Sequence, residues 1–224
     1  TLDKTNVHAP VVTVVYNLPA TKSKVTIRYT VSGNADVMVD YYLQAGAEKL
    51  PIIPRVGLNL QLPAAYRNVE WYGRGWGENY QDRKTGSYVG LYKATTDELY
   101  VPYVRPQENG YRTDVRWVAI SNGKSGILFQ GQPLVCFSAL PYSYDDVKGF
   151  SHGGKHINQL PVNTFTDVNI DLLQAGVGGD DSWGAWPMDK YLPKAKDYRW
   201  GMRIRPYTLK ESSPAKLSKQ QLNY

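Results

Sequence analysis

The sequence predicts an all-β protein, a large antiparallel β-sandwich, on three observations. Apolar residues recur at every second position in several runs. Gly, Pro and Asn interrupt those runs at short intervals. No stretch carries an apolar stripe at helical spacing over twelve or more residues. A period of two is the signature of a strand with one face on a core, and the interruptions supply the turns.

Taken in order, Val25, Ile27, Tyr29 and Val31 alternate with Thr26, Arg28 and Thr30. Val37, Val39, Tyr41 and Leu43 alternate with Met38, Asp40 and Tyr42. Val168, Ile170 and Leu172 alternate with Asn169 and Asp171. Tyr198, Trp200, Met202 and Ile204 alternate with Arg199, Gly201, Arg203 and Arg205. The last run sets three Arg on one face, which predicts a water-facing sheet surface or an interface. Ser32-Gly33-Asn34, Glu108-Asn109-Gly110, Ser121-Asn122-Gly123 and the stretch 145–149 read as turns, because Asn and Gly tolerate positive φ. A short helical turn is expected at Pro214 with Ser213 as its cap.

The chain has 224 residues, of which 42% are hydrophobic, and it carries 18 Tyr and 6 Trp. That apolar content can offset chain entropy, which argues against disorder. No run of 18 apolar residues exists, so no membrane helix is expected. The net charge is +6, from 26 basic and 20 acidic residues, but no block of five Lys or Arg stands out. A scattered surplus of this kind reads as a solvated surface, and no nucleic-acid partner is expected. One Cys, Cys136, excludes an intramolecular disulfide framework and a Cys-based zinc site, but fixes no compartment. The N-terminus shows no basic-then-apolar signal pattern and no initiator Met, as for a mature product or a piece of something longer. No internal repeat or linker divides the chain. Residues 1–208 are expected to form one sandwich domain and 209–224 a polar C-terminal tail.

Two segments could carry chemistry. Trp71 through Arg83 places three Gly among aromatic and charged side chains. Such a mixture suits a sugar, whose C–H face stacks on aromatics while its hydroxyls bond carboxylates, Asn and Arg. The structural alternative, which the segment favours, is a loop with Trp71 buried and Glu78 paired with Arg83. Gln174 through Pro187 holds Gly176, Gly178 and Gly179, then Asp180, Asp181, Ser182 and Trp183. The acidic residues and Ser182 can cap backbone N–H groups and hold Trp183 at the protein edge. Gly-x-Gly-Gly is no phosphate loop here, since no Lys or helix follows in order. Asp180 and Asp181 as an acid/base pair is disfavoured, because adjacent side chains diverge. His152 and His156 stand four apart, but Gly153-Gly154 argues against the helix that a metal pair would need, and no metal site is expected. Cys136 lies in an apolar run and reads as an inert core residue. No nucleophile elbow or Ser-His-Asp pattern is present.

Four stretches together resemble the C-terminal β-sandwich domain, of small-chain type, of the glycoside hydrolase family 2 β-galactosidases. They are Arg55 to Leu62, Trp71 to Arg83, Tyr103 to Gly110, and Gly176 to Trp183, in the family's order and spacing. The resemblance is strong over about 55–205, weaker over 1–54 and absent in the tail. It implies a galactose mutarotase-like supersandwich. It also implies that the catalytic acid and nucleophile, both Glu, belong to a barrel domain that nothing here matches. The family's Trp that walls the sugar site corresponds to Trp183, with Gly178, Gly179, Asp180, Asp181 and Ser182 as loop support. The Trp71–Arg83 and Glu108-Asn109-Gly110 motifs are structural in the family. At Arg105 relatives can carry an apolar or aromatic residue, so no ion site is expected there.

The resulting expectation is a domain of a retaining β-galactosidase that is inactive alone, with no catalytic residue, metal or cofactor of its own. Its expected partners are a galactoside substrate and the preceding domains of a homo-oligomeric parent, with no membrane. Two alternatives remain. A stand-alone carbohydrate-binding module would use the Trp183 loop and Trp76 as platforms, although one wall is half a pocket and weak binding is expected. An aldose 1-epimerase would need a positioned acid and base, for which only His152, His156 and Glu78 are available.

Overall fold

Alternation becomes pairing in the computed structural model, which describes residues 1–6, 8–46, 50–147, 156–181 and 184–220. Among these residues the strands are β1 (Leu2–Asp3), β2 (Val11–Leu18), β3 (Ser23–Val31), β4 (Val37–Gln44), β5 (Arg55–Pro63) and β6 (Asn68–Arg74). They continue with β7 (Val89–Thr95), β8 (Arg112–Ser121), β9 (Ser125–Leu140), β10 (Phe165–Gln174) and β11 (Tyr198–Thr208). Among the described residues helix is confined to single turns at α1 (Thr96–Leu99), α2 (Tyr144–Val147) and α3 (Pro214–Leu217), besides three short 3-10 turns.

All pairing is antiparallel. The strand order is β1-β2-β3-β4-β11-β9-β8-β6-β7, and β10 with β5 branches from β9. The branch arises because β9 serves two partners in turn. Residues 125–132 pair with β11, and residues 136–140 pair with β10. Pro133 stands at the changeover, where its missing N–H cannot continue the ladder.

One apolar cluster joins both arms. Ile27, Val39, Trp71, Val118, Phe137, Ile170 and Met202 come from seven strands and share it. The all-β antiparallel sandwich expected from the alternation is therefore the fold. Val25 and Ile27, like Val168 and Ile170, lie on its buried face.

The Arg face of β11 departs from expectation. Arg199 is exposed and lies over Tyr42, 4.0 Å from the ring. Arg203, expected on a water-facing surface or an interface, is 1% exposed. Its Nε and Nη2 donate to the two oxygens of buried Asp36 at 2.5 and 3.0 Å, and Nη1 donates to the Leu217 carbonyl at 3.0 Å. The cover comes from α3. The Ser213 side chain accepts from Lys216 N–H as the expected cap, with Pro214 at the first turn. Leu217 then inserts among Trp117, Leu128 and Tyr207. Burying a Leu contributes about 1.5–3 kcal/mol, so the stretch that reads as polar holds the sheet through Leu217, beside buried Pro214 and the carbonyls that Arg203 and Gln130 reach.

Candidate functional site

The four motifs of the resemblance are scattered in sequence and meet at one end of the β5–β10–β9 arm. Arg55 opens β5. Its Nη2 donates to Glu108 Oε2 at 2.9 Å and to Gln174 Oε1 at 2.6 Å. Glu108 also accepts from the Tyr80 hydroxyl at 3.5 Å. Tyr80 stacks on Tyr111 with ring centroids 5.4 Å apart. Glu78 accepts from the Gly110 N–H at 2.6 Å and from the Tyr103 hydroxyl, and it pairs with Arg83. Asn79 is buried and accepts from the N–H and hydroxyl of Thr113 at 2.9 and 2.7 Å. Trp71 is 0% exposed and donates its indole N–H to the Arg74 carbonyl. Trp71 is thus buried and Glu78 paired with Arg83, as the structural reading of this segment expects. Trp76, in contrast, is 62% exposed.

Beneath Arg55 lies Asp171, which the alternation placed on the face away from the core, toward water or a partner. It is 0% exposed. Gly57 stands opposite it in the register, and a Cβ there would come within 1.9 Å of the Asp171 carboxylate. Only glycine leaves room for this side chain. Arg55 Nε is 3.5 Å from Asp171 Oδ2, and neither carboxylate oxygen has a hydrogen bond of good geometry. The Tyr111 hydroxyl lies near Asp171 and Cys136 without aligning on either. Burial raises the Asp171 carboxyl to about 7 against the pull of Arg55. Burial likewise pushes the Cys136 thiol up to about 12, in line with its reading as an inert core residue.

The glycine-rich loop leaves β10 directly above this network. Ala175 N–H donates to the Pro54 carbonyl at 2.8 Å, and Gly176 N–H to the Tyr191 carbonyl at 2.9 Å. Gly178 N–H donates to Asp82 Oδ2 at 2.6 Å. Gly176 passes so close to Asp82 that a Cβ would lie 2.7 Å from its carboxyl carbon. Gly179 follows, and Asp180 and Asp181 are exposed. Asp181 Oδ1 accepts from the Ala185 N–H at 3.3 Å, a capping bond across the loop. Ser182 and Trp183 lie outside the described residues, as does His152. His156 is exposed at the start of a 3-10 turn over Ile157–Gln159. Glu78, the acid that the epimerase alternative would need, is engaged by Arg83, Tyr103 and Gly110.

Beside the loop opens a cleft of about 620 Å³. Its floor is the polar face of β5, β10 and β9, where Asn59, Asn169 and Ser138 stand side by side. Asn59 Nδ2 donates to Asn169 Oδ1 at 3.1 Å and to Asp167 Oδ2 at 3.0 Å, and Asn169 Nδ2 donates to Ser138 Oγ at 3.0 Å. Ala175, Gly176 and Val177 also line it, as do Tyr142, Tyr144 and Asp145. Reading the sequence did not single out this row. Its signal was the run of amides and acids at every second position of β5 and β10.

An antiparallel sandwich with a tethered glycine-rich loop beside a polar cleft thus defines the molecule. A family model described as the β-galactosidase small chain matches residues 1–204. The chain belongs to that family. It is 41% identical over 160 residues to a β-galactosidase of Priestia megaterium, covering 71% of this chain and 15% of that protein. It is 36% identical over 199 residues to a β-galactosidase of Vibrio cholerae, covering 89% and 18%. The chain thus spans less than a fifth of the length of these relatives. Among solved structures, a putative aldose 1-epimerase from Escherichia coli K12 overlaps 93% of this chain and 68% of its own, at 10% identity and a TM-score of 0.47. A galactose 1-epimerase from Lactobacillus acidophilus gives 9% identity and a TM-score of 0.47, covering 89% and 63%.

Proposed function

We propose that this chain is the C-terminal domain of a retaining β-galactosidase of glycoside hydrolase family 2, which hydrolyses terminal β-D-galactosides. In this reading two carboxyl groups, both Glu, act as nucleophile and acid/base, and a barrel domain of the parent supplies them. Retention needs those carboxyls about 5–5.5 Å apart across the glycosidic bond. This domain contributes Trp183 as an aromatic wall, with Gly178, Gly179, Asp180, Asp181 and Ser182 as its support. Stacking of this kind is worth about 0.5–1.5 kcal/mol beyond the area buried. The domain docks onto the preceding domains, and the parent assembles as a homo-oligomer.

The observation that carries the reading is the tether of the glycine-rich loop by Asp82 at Gly178, which ties together two motifs of the family resemblance. A loop fixed at its root presents its tip with less entropy to lose on binding. The test uses the intact enzyme. Trp183→Ala should raise KM for a chromogenic β-galactoside roughly five- to tenfold, as the loss of about 1 kcal/mol or more requires. The isolated chain should show no turnover. An unchanged KM and unchanged inhibitor affinity in the variant would remove the assignment.

A further inference from the structure

We infer that the cleft over β5, β10 and β9 is a saccharide-binding site in its own right, for a neutral mono- or disaccharide, separate from any role of Trp183. Three features of the cleft lead there. The first is its floor. Leu58, Leu60, Val168 and Ile170 point into the core, and the intervening positions bring Asn59, Gln61, Asp167 and Asn169 to the opposite face. Ser138 extends the row onto β9. Water-facing sheet surfaces need no such order, yet here Asn59 uses both amide hydrogens within the row and Asn169 uses one on Ser138. The polar ends are held before a ligand arrives, so little side-chain entropy remains to be lost.

The second feature is shape. Asn59 and Gln61 are exposed on the edge strand β5, while Asp167 on β10 and Ser138 on β9 are buried. The floor is therefore more open along β5 than over β10 and β9. Its volume of about 620 Å³ lies within the range of about 300–1,000 Å³ usual for small-molecule sites.

The third feature is the chemistry of the lining. Arg55 is the one cation among the described lining residues, and it is engaged by Glu108. Glu108, Asp145 and Asp167 set the local charge negative, which disfavours phosphate, sulfate or a carboxylate ligand. Amides and a carboxyl group offer donors and acceptors side by side, and a sugar hydroxyl is both at once. Tyr142 is held edge-on against Tyr100, with ring centroids 4.9 Å apart, and Tyr144 is 68% exposed at the rim. These rings provide apolar faces for the C–H side of a pyranose.

Calorimetry of the 224-residue chain with lactose and with methyl β-D-galactopyranoside tests the site. Binding in the millimolar range is expected, with no competition by inorganic phosphate. Asn169→Leu should weaken it at least about tenfold by stranding Asn59 and Ser138 without their partner. Tyr144→Ala, at an exposed position that does not endanger folding, should weaken it several-fold. Trp183→Ala should leave the affinity within a factor of about two, since the binding is assigned to the floor and rim side chains named above. This pattern is independent of the KM effect of Trp183→Ala in the intact enzyme, so either reading can fail alone. Absence of binding to both sugars, competition by phosphate, or binding lost in Trp183→Ala but kept in Asn169→Leu and Tyr144→Ala would each overturn the site.

Discussion

Asp82 Oδ2 accepts the backbone N–H of Gly178 at 2.6 Å across 96 residues of chain. The bond joins the Trp71–Arg83 motif to the glycine-rich loop, and the second Asp82 oxygen is buried without a partner of its own. A carboxylate facing a backbone N–H makes one of the stronger hydrogen bonds available to a loop. The absence of a Cβ at Gly176 is what lets the loop lie against this carboxylate.

Asp82→Ala should therefore release the root of the loop without unfolding the sheet. Losing a hydrogen bond to a charged group costs about 1.5–3 kcal/mol, which is roughly ten- to hundredfold in local opening. Hydrogen exchange at the Gly178 amide should accelerate by that factor, while amides of β8 and β9 keep their protection. Equal exchange at Gly178 in both proteins would show that the carboxylate does not hold the loop.

The Arg203–Asp36 pair should prove costly to break on one side only. Both side chains are almost wholly buried, and Arg205 Nη1 lies 3.3 Å from the same carboxylate. Asp36→Ala would leave the Arg203 guanidinium buried without its counter-charge, a loss of about 3–5 kcal/mol. Replacing both residues together with apolar ones should recover much of that loss. Urea denaturation of the single and double variants measures the difference. A single variant within about 1 kcal/mol of the parent chain would contradict the burial argument.

These two sites mark where reading the sequence stops. A sheet face on a core repeats at every second residue, so the pairs Val25 with Ile27 and Val168 with Ile170 announced their strands. The repeat says which residues share the other face but not what covers it. Arg203 and Asp171 stood on faces expected to meet water or a partner. One is covered by α3, whose Leu217 carbonyl lies 14 residues along the chain, and the other by Arg55 and Tyr111, far away in sequence. Trp71 and Trp76 sit in one motif, yet Trp71 falls inside β6 and is buried, whereas Trp76 follows its end at Arg74 and is exposed. At the loop, Asp181 as a capping residue was legible because its bond to Ala185 is local. The tethers from Asp82 and Tyr191 were not, since only the folded sheet brings them near.

Asp171 gives the fold a pH dependence whose sign follows from its burial. The carboxyl is raised from 3.8 to about 7, first by desolvation, with Arg55 and Tyr111 opposing and Glu108 adding to the rise. The folded protein thus holds this proton more tightly than the unfolded chain does. The group's contribution to stability is complete below about pH 4 and declines as pH rises to about 7, by at most about 1.4 kcal/mol per unit. Asn at this position cannot ionise and removes that decline. Urea denaturation at a series of pH values between these limits should show the parent chain losing stability relative to Asp171→Asn as pH rises, with the difference levelling off above about 7. A difference that stays constant, or one that grows in favour of the parent chain, would mean that Asp171 is ionised throughout and that Arg55 outweighs the cost of burying it.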